Sequence, residues 1–173
     1  MSYTLDQLAA DCHDAIAADP GPNGREVVRQ HLERALKDAD FVTAHLGPDN
    51  DTPRKKLYED PDFGFCIMAH VYNDAKGGAP HDHAGSWAIY GQAVGTTEMT
   101  EWRKVLEPEG EKPGEVLPLK TYELRPGMAV VYNEEALHSP QRSGPTRLIR
   151  IEGRNLDHVV RDSYVPAEET TAD

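Results

Sequence analysis

The chain has 173 residues, enough for one domain with a real core and no need of disulfides or structural metals. Its 18 basic against 30 acidic residues give a formal charge of -12, which repels phosphate backbones and anionic membrane surfaces and sets nucleic acid and membrane aside as partners. No stretch approaches the roughly 20 apolar residues of a membrane span, and the first residues lack the basic-then-apolar pattern of a leader, so a cytoplasmic protein is expected.

Thr4 with Gln7 forms a capping-box pattern, and Leu5, Leu8, Ala9, Cys12 and Ile16 then recur at helical spacing, which predicts a helix over 5–18. Asp19-Pro20-Gly21-Pro22-Asn23-Gly24 stops it. Asn23 with Glu26 opens a second predicted helix with the apolar stripe Val28, Leu32, Ala35 and Ala39. His13, His31 and His45 fall in or after these helices and read as surface or half-buried side chains. Cys12 and Cys66 sit in apolar surroundings and read as buried, reduced thiols. A Pro- and Asp-rich loop over 47–61, with a short strand near 56–58, leads out of a helical lobe at 4–46.

The period then changes from helix to strand. Phe63, Phe65, Ile67, Ala69 and Val71 share one face of a strand, and Cys66, Met68, His70 and Tyr72 share the other. Further strands are predicted over 87–94, 96–105, 117–124, 128–132 and 147–152, with a surface loop over 107–118. Many short strands joined by Gly/Pro turns argue an antiparallel barrel or jelly roll. The whole reads as a single domain over 1–165 with its barrel at about 54–165. An acidic tail over 166–173 is expected to fray.

The chemistry concentrates in Pro80-His81-Asp82-His83-Ala84-Gly85-Ser86-Trp87-Ala88. On an extended strand His81 and His83 project to one face and can reach one ion, while Asp82 points away. A divalent metal held for chemistry takes about three protein ligands and keeps an open position. His138, in the segment following Pro126-Gly127, is the best third donor. Three histidines suit iron, and also nickel, manganese, zinc or copper.

These segments resemble the two motifs of the cupins, small double-stranded β-helix barrels. His81-Asp82-His83 matches the HxH of the first, and Gly95 falls in register behind it, but Ala88 occupies the slot of the family's Glu ligand. In the second motif Gly127 and His138 hold their spacing, while Asn133, Glu135 and Arg142 replace the usual Pro, Gly and Asn. Three histidines without the Glu are similar to the cysteine dioxygenase-like branch, which also places helices before its barrel. The resemblance implies a mostly β, cupin-type jelly-roll barrel preceded by two N-terminal helices. It further implies a non-haem Fe(2+)-dependent dioxygenase, oxidising a small thiol to its sulfinate or acting on a similar carboxylate-bearing compound.

The implied partners are therefore a small-molecule substrate and dioxygen, with a homodimer as the oligomeric alternative to a monomer. A metal- or small-ligand-binding barrel without turnover, a sensor or storage module, is the second functional class. Arg54, ahead of the apolar strand, falls where that branch carries its carboxylate-binding Arg. Arg150 alternates with Leu148 and Glu152 on one face of a strand, at positions where the branch has a Ser-His-Tyr relay; that relay is missing here. By parity with Ala88, Tyr90 and Gln92 line the cavity, and Trp87 reads as barrel filling. His70 reads as a packed strand residue and His158 as a surface residue.

Overall fold

The structure, a computed structural model, describes residues 2–168. The Thr4 hydroxyl accepts from the Gln7 amide while the Gln7 side chain accepts from the Thr4 amide, so the expected capping box opens α1 (Leu5–Ala18). The second helix, α2 (Pro22–Leu36), starts one residue earlier than expected. Gly21 is its N-cap and Pro22 takes the first turn, where a missing N–H costs nothing. Ala39 does not extend it. The Asp38 carboxylate accepts from the amides of Asp40 and Phe41 and starts a separate helix, α3 (Ala39–Leu46), so three helices precede the barrel rather than two.

Ten strands follow: β1 (Arg54–Glu59), β2 (Cys66–Tyr72), β3 (Lys76–Gly77), β4 (Ala88–Val94), β5 (Thr97–Leu106), β6 (Gly114–Leu124), β7 (Ala129–Tyr132), β8 (Leu137–Arg142), β9 (Thr146–Glu152) and β10 (Tyr164–Pro166). They form two five-stranded sheets, ordered β1-β2-β9-β4-β7 and β10-β6-β5-β8-β3. All named pairs are antiparallel except β10 with β6. This is the expected jelly-roll barrel. The loop expected over 107–118 is shorter, because β6 begins at Gly114. Pro118 is accommodated in it at a register shift opposite Trp102. Strands β3, β8 and β10 were not anticipated. Pro166 closes β10, and the remainder of the tail expected to fray lies largely outside the described residues.

Strand parity divides the first sheet into two faces. Ile67, Ala69, Ile89, Ile149 and Ile151 point outward and are buried beneath Leu8, Val28, Leu32, Leu36 and Phe41 of the helices. Gly91 is where α2 comes closest, since a Cβ there would lie 2.5 Å from a methyl of Leu36. The inward face carries Ala88, Tyr90, Tyr132 and Leu148, packed against Met99 and Leu124 of the second sheet. Trp87 lies on the outer side, in the helix-facing cluster with Arg25 over its ring, and so does not fill the barrel. Both cysteines are buried and free, as expected. Among the described residues no helix is long and apolar enough to cross a membrane.

Candidate metal centre

His81 and His138 are backbone partners. The amide of each donates to the carbonyl of the other at 3.0 Å, an isolated bridge that extends the edge of β8. Residues directly opposite in an antiparallel pair direct their side chains to one face, so this bridge sets both imidazoles side by side. His81 and His83 were expected on a continuous strand. Instead a turn follows at once, with Ala84 and Gly85 at φ 52° and 78° and the Ser86 amide donating to the His83 carbonyl at 3.1 Å. The turn carries the chain from the second sheet into β4 and swings His83 over the same interior point.

The donor nitrogens of His81, His83 and His138 lie within 4.8 Å of one another, and no carboxylate belongs to the group among the described residues. The Nε2 atoms of His83 and His138 are 3.2 Å apart. Nδ1 of His81 donates to the Ala79 carbonyl at 2.8 Å and Nδ1 of His138 to the Ala136 carbonyl at 3.0 Å. In both neutral rings this leaves Nε2 as a bare lone pair. Tyr132 stacks on His138, centroids 3.7 Å apart and planes 8° off parallel, which fixes the ring. Burial, and then nearby positive charge from Arg150 and Arg161, holds all three imidazoles below their ordinary pKa. Neutral lone pairs crowded together in the interior are the donor set of a divalent cation, and the residues fit a metal.

Tyr90, on the inward face of β4, places its hydroxyl 3.3 Å from His83 Nε2 and 3.4 Å from His138 Nε2. Across the β4–β9 pair it stands opposite Arg150, whose Nη1 donates to that hydroxyl at 3.3 Å. Arg150 is ion-paired with Glu152, which is fully buried. Both oxygens of Glu152 also accept from Arg54, at 2.8 Å each, and Arg54 Nε donates to Asp157 at 2.8 Å. A polar chain therefore runs inward from the surface: Asp157, Arg54, Glu152, Arg150, Tyr90 and the clustered imidazoles. The alternation expected along β9 is present, but Arg54, expected to grip a substrate carboxylate, grips an internal one.

Two further cations were missed. Arg142 ends β8 two rungs beyond His138, is 3% exposed, and stacks on Tyr72 at 4.4 Å. Burial pushes its pKa down. The groups acting on it are Tyr72, Tyr90 and Arg150, with no carboxylate among them. Arg161, half-buried in the segment before β10, is a second positive charge that acts on all three imidazoles. The second motif pointed at position 142 only as a replaced Asn; nothing local marks Arg161.

Gln92 is buried as expected, but its amide holds the β4–β5 turn, donating to the carbonyls of Val94 and Gly95 and accepting from Thr97, each at 3.0 Å. His70 is packed in the barrel beside Arg54 and Tyr72. His158 is exposed. His13 gathers with Asp60 and Asp62, a grouping invisible in sequence because its members are far apart along the chain. Asp60 is already committed there, since its oxygens also accept from Tyr58 and from the amides of Asp62 and Phe63.

No protein-family model matches the chain, and no curated protein matches it in sequence. Solved structures resemble it in fold. KdgF from a Halomonas species is 21% identical, with a TM-score of 0.44 over 64% of this chain and 88% of its own. A cupin-2 domain protein from Shewanella frigidimarina is 13% identical, with a TM-score of 0.44 over 68% of this chain and 95% of its own. A cupin superfamily protein from Desulfitobacterium hafniense is 11% identical, with a TM-score of 0.41 over 59% and 76% respectively.

Proposed function

We propose that this protein is an iron-dependent dioxygenase that converts a small, carboxylate-bearing thiol to its sulfinate. The observation that carries the proposal is the convergence of three neutral imidazoles inside the barrel with no acidic side chain in the group. His81, His83 and His138 would hold the metal. Bound Fe(2+) supplies a site where a thiolate and dioxygen can meet, and three neutral ligands leave its charge free to attract that thiolate. The reaction balances without a reductant, because a thiol plus one dioxygen has the atoms of a sulfinic acid.

The chain's own residues supply the rest. The positive charge of Arg161 acts on the imidazoles and would draw in an anionic substrate, and Arg142 offers a buried guanidinium with no acid paired to it among the described residues. A guanidinium fork suits a carboxylate better than an ammonium does. Arg54 and Arg150 keep Glu152 charged and in place, and Arg150 in turn holds the Tyr90 hydroxyl against the site. The packed interior of Tyr132, Leu148 and Met99 excludes water from below.

The test is oxygen uptake by iron-loaded protein with cysteine, cysteamine, mercaptopropionate and mercaptosuccinate, with sulfinate assayed as product. Uptake with a carboxylate-bearing thiol, at close to one iron per chain, is the expected result. Stoichiometric iron without uptake from any of the four removes the enzymatic reading and leaves a metal-binding barrel.

A further inference from the structure

We propose that Tyr90 is a fourth protein donor to the metal, its hydroxyl oxygen supplying the oxygen ligand that Ala88 cannot. The inference rests on the three-histidine centre proposed above and adds to it a residue from the barrel wall. Three distances carry it. His83 Nε2 to His138 Nε2 is 3.2 Å, Tyr90 Oη to His83 Nε2 is 3.3 Å, and Tyr90 Oη to His138 Nε2 is 3.4 Å. These atoms make a nearly equilateral triangle. Donors bonded to one cation at about 2.1 Å are separated by roughly 3.0 Å in octahedral and roughly 3.4 Å in tetrahedral geometry. All three sides of the triangle fall in or at the edge of that interval.

The position of the oxygen is imposed by the fold. Ala88 and Tyr90 share the inward face of β4, and of the two only Tyr90 carries a donor atom. Tyr90 is locked from three sides. Its ring meets Tyr132 edge-on at 5.5 Å, meets His138 edge-on at 5.4 Å, and lies beneath the Arg150 guanidinium at 5.5 Å. Arg150 Nη1 donates to the hydroxyl oxygen, so the oxygen accepts from behind and directs its O–H and its remaining lone pair toward the imidazoles. Tyr132, the other tyrosine at the centre, is turned away: its hydroxyl meets that of Tyr122 at 2.6 Å.

The experiment loads the protein with Fe(2+) anaerobically, measures affinity by chelator competition, then oxidises the iron with ferricyanide and records visible absorption and resonance Raman spectra. On the ferric ion the phenol O–H bond breaks, its electron pair forms the iron–oxygen bond, and the proton passes to bulk water. Wild type is expected to show a phenolate-to-iron charge-transfer band with tyrosine ring modes enhanced. Tyr132→Phe should retain the band. Tyr90→Phe should lose it and bind Fe(2+) roughly 10- to 100-fold more weakly. Stoichiometric iron with no such band in wild type, or a band that survives in Tyr90→Phe, overturns the assignment and leaves the three-histidine centre standing. Folded protein that takes up no iron overturns both.

Discussion

Glu152 holds Arg54 by both carboxylate oxygens at 2.8 Å, inside a barrel wall where the Glu152 side chain is wholly out of water. The same carboxylate is paired with Arg150. One buried anion is thus shared by two cations, of which Arg54 also pairs with Asp157, and its own charge is stabilised by them despite burial, so its pKa is held low. Glu152→Gln keeps the volume and deletes the charge, leaving Arg150 buried beside Arg54 with nothing between them. A loss of about 3–5 kcal/mol in urea unfolding is expected. A loss below about 1 kcal/mol would mean that Glu152 is not charged in the folded state.

Arg142 presents the opposite case, a buried cation with no acid paired to it among the described residues. A guanidinium taken out of water with no counter-charge destabilises the fold, and a hydrophobic residue of similar length relieves it. Arg142→Met should therefore stabilise the ligand-free protein by about 1 kcal/mol or more, after its stacking on Tyr72 is set against the gain. The same variant should lose the rise in Tm that mercaptopropionate gives wild type, and its KM for that thiol should increase roughly tenfold or more. Equal ligand-induced shifts in the two proteins would place the carboxylate elsewhere, with Arg161 next in line.

His13 reports on the joint between α1 and the β1–β2 turn. Its hydrogen bond to Asp60, at 2.9 Å, raises its pKa above the ordinary 6.5, while burial acts weakly against this. A raised folded value means that the pair's contribution is complete below the unfolded pKa and disappears as pH climbs through the folded one. On the acid side Asp60 sets the limit. Burial works to raise its pKa, but the Phe63 amide and His13 outweigh it and the net shift is down, so its share is lost only as pH falls through that lowered value. Chemical denaturation from pH 5 to 9 should show stability declining above about pH 6.5 in wild type. His13→Gln should flatten that decline, and an identical slope in the variant would detach His13 from it.

The local parts of this design are legible in the sequence and the long-range parts are not. The capping box at Thr4 and the alternation along β9 depend on neighbours within a few residues and are where periodicity puts them, while His81 and His83 converge as expected but through a turn rather than a continuous strand. Strand β8 is hidden because Ser139-Pro140-Gln141-Arg142 has neither apolar alternation nor a free N–H at Pro140, yet pairing on both sides makes it the strand that carries His138. Trp87 shows size being overruled by parity. A large aromatic invites placement inside, but Ala88 takes the inward position and Trp87 must face the helices. The grip of Glu152 on Arg54 joins residues 98 apart, and no spacing rule reaches that far.

Arg25 links the helical lobe to the metal centre and gives the most direct test of that coupling. From the first turns of α2 its two terminal nitrogens donate to Glu134 at 2.6 Å each, and one also donates to Asn133 at 2.9 Å. These acceptors begin the turn in which Glu135 takes a φ of 63° and the Ala136 carbonyl is aimed at His138 Nδ1. A lysine has the charge but not the fork, so Arg25→Lys keeps the pairing and frees the turn. Loss of about 2 kcal/mol of stability follows from the hydrogen bonds to a charged group. Because the Ala136 carbonyl fixes both the tautomer and the direction of His138, Fe(2+) affinity should fall roughly tenfold as well. A variant that loses stability in urea but binds iron as tightly as wild type would show that His138 is held by its β-bridge to His81 and the Tyr132 stack alone.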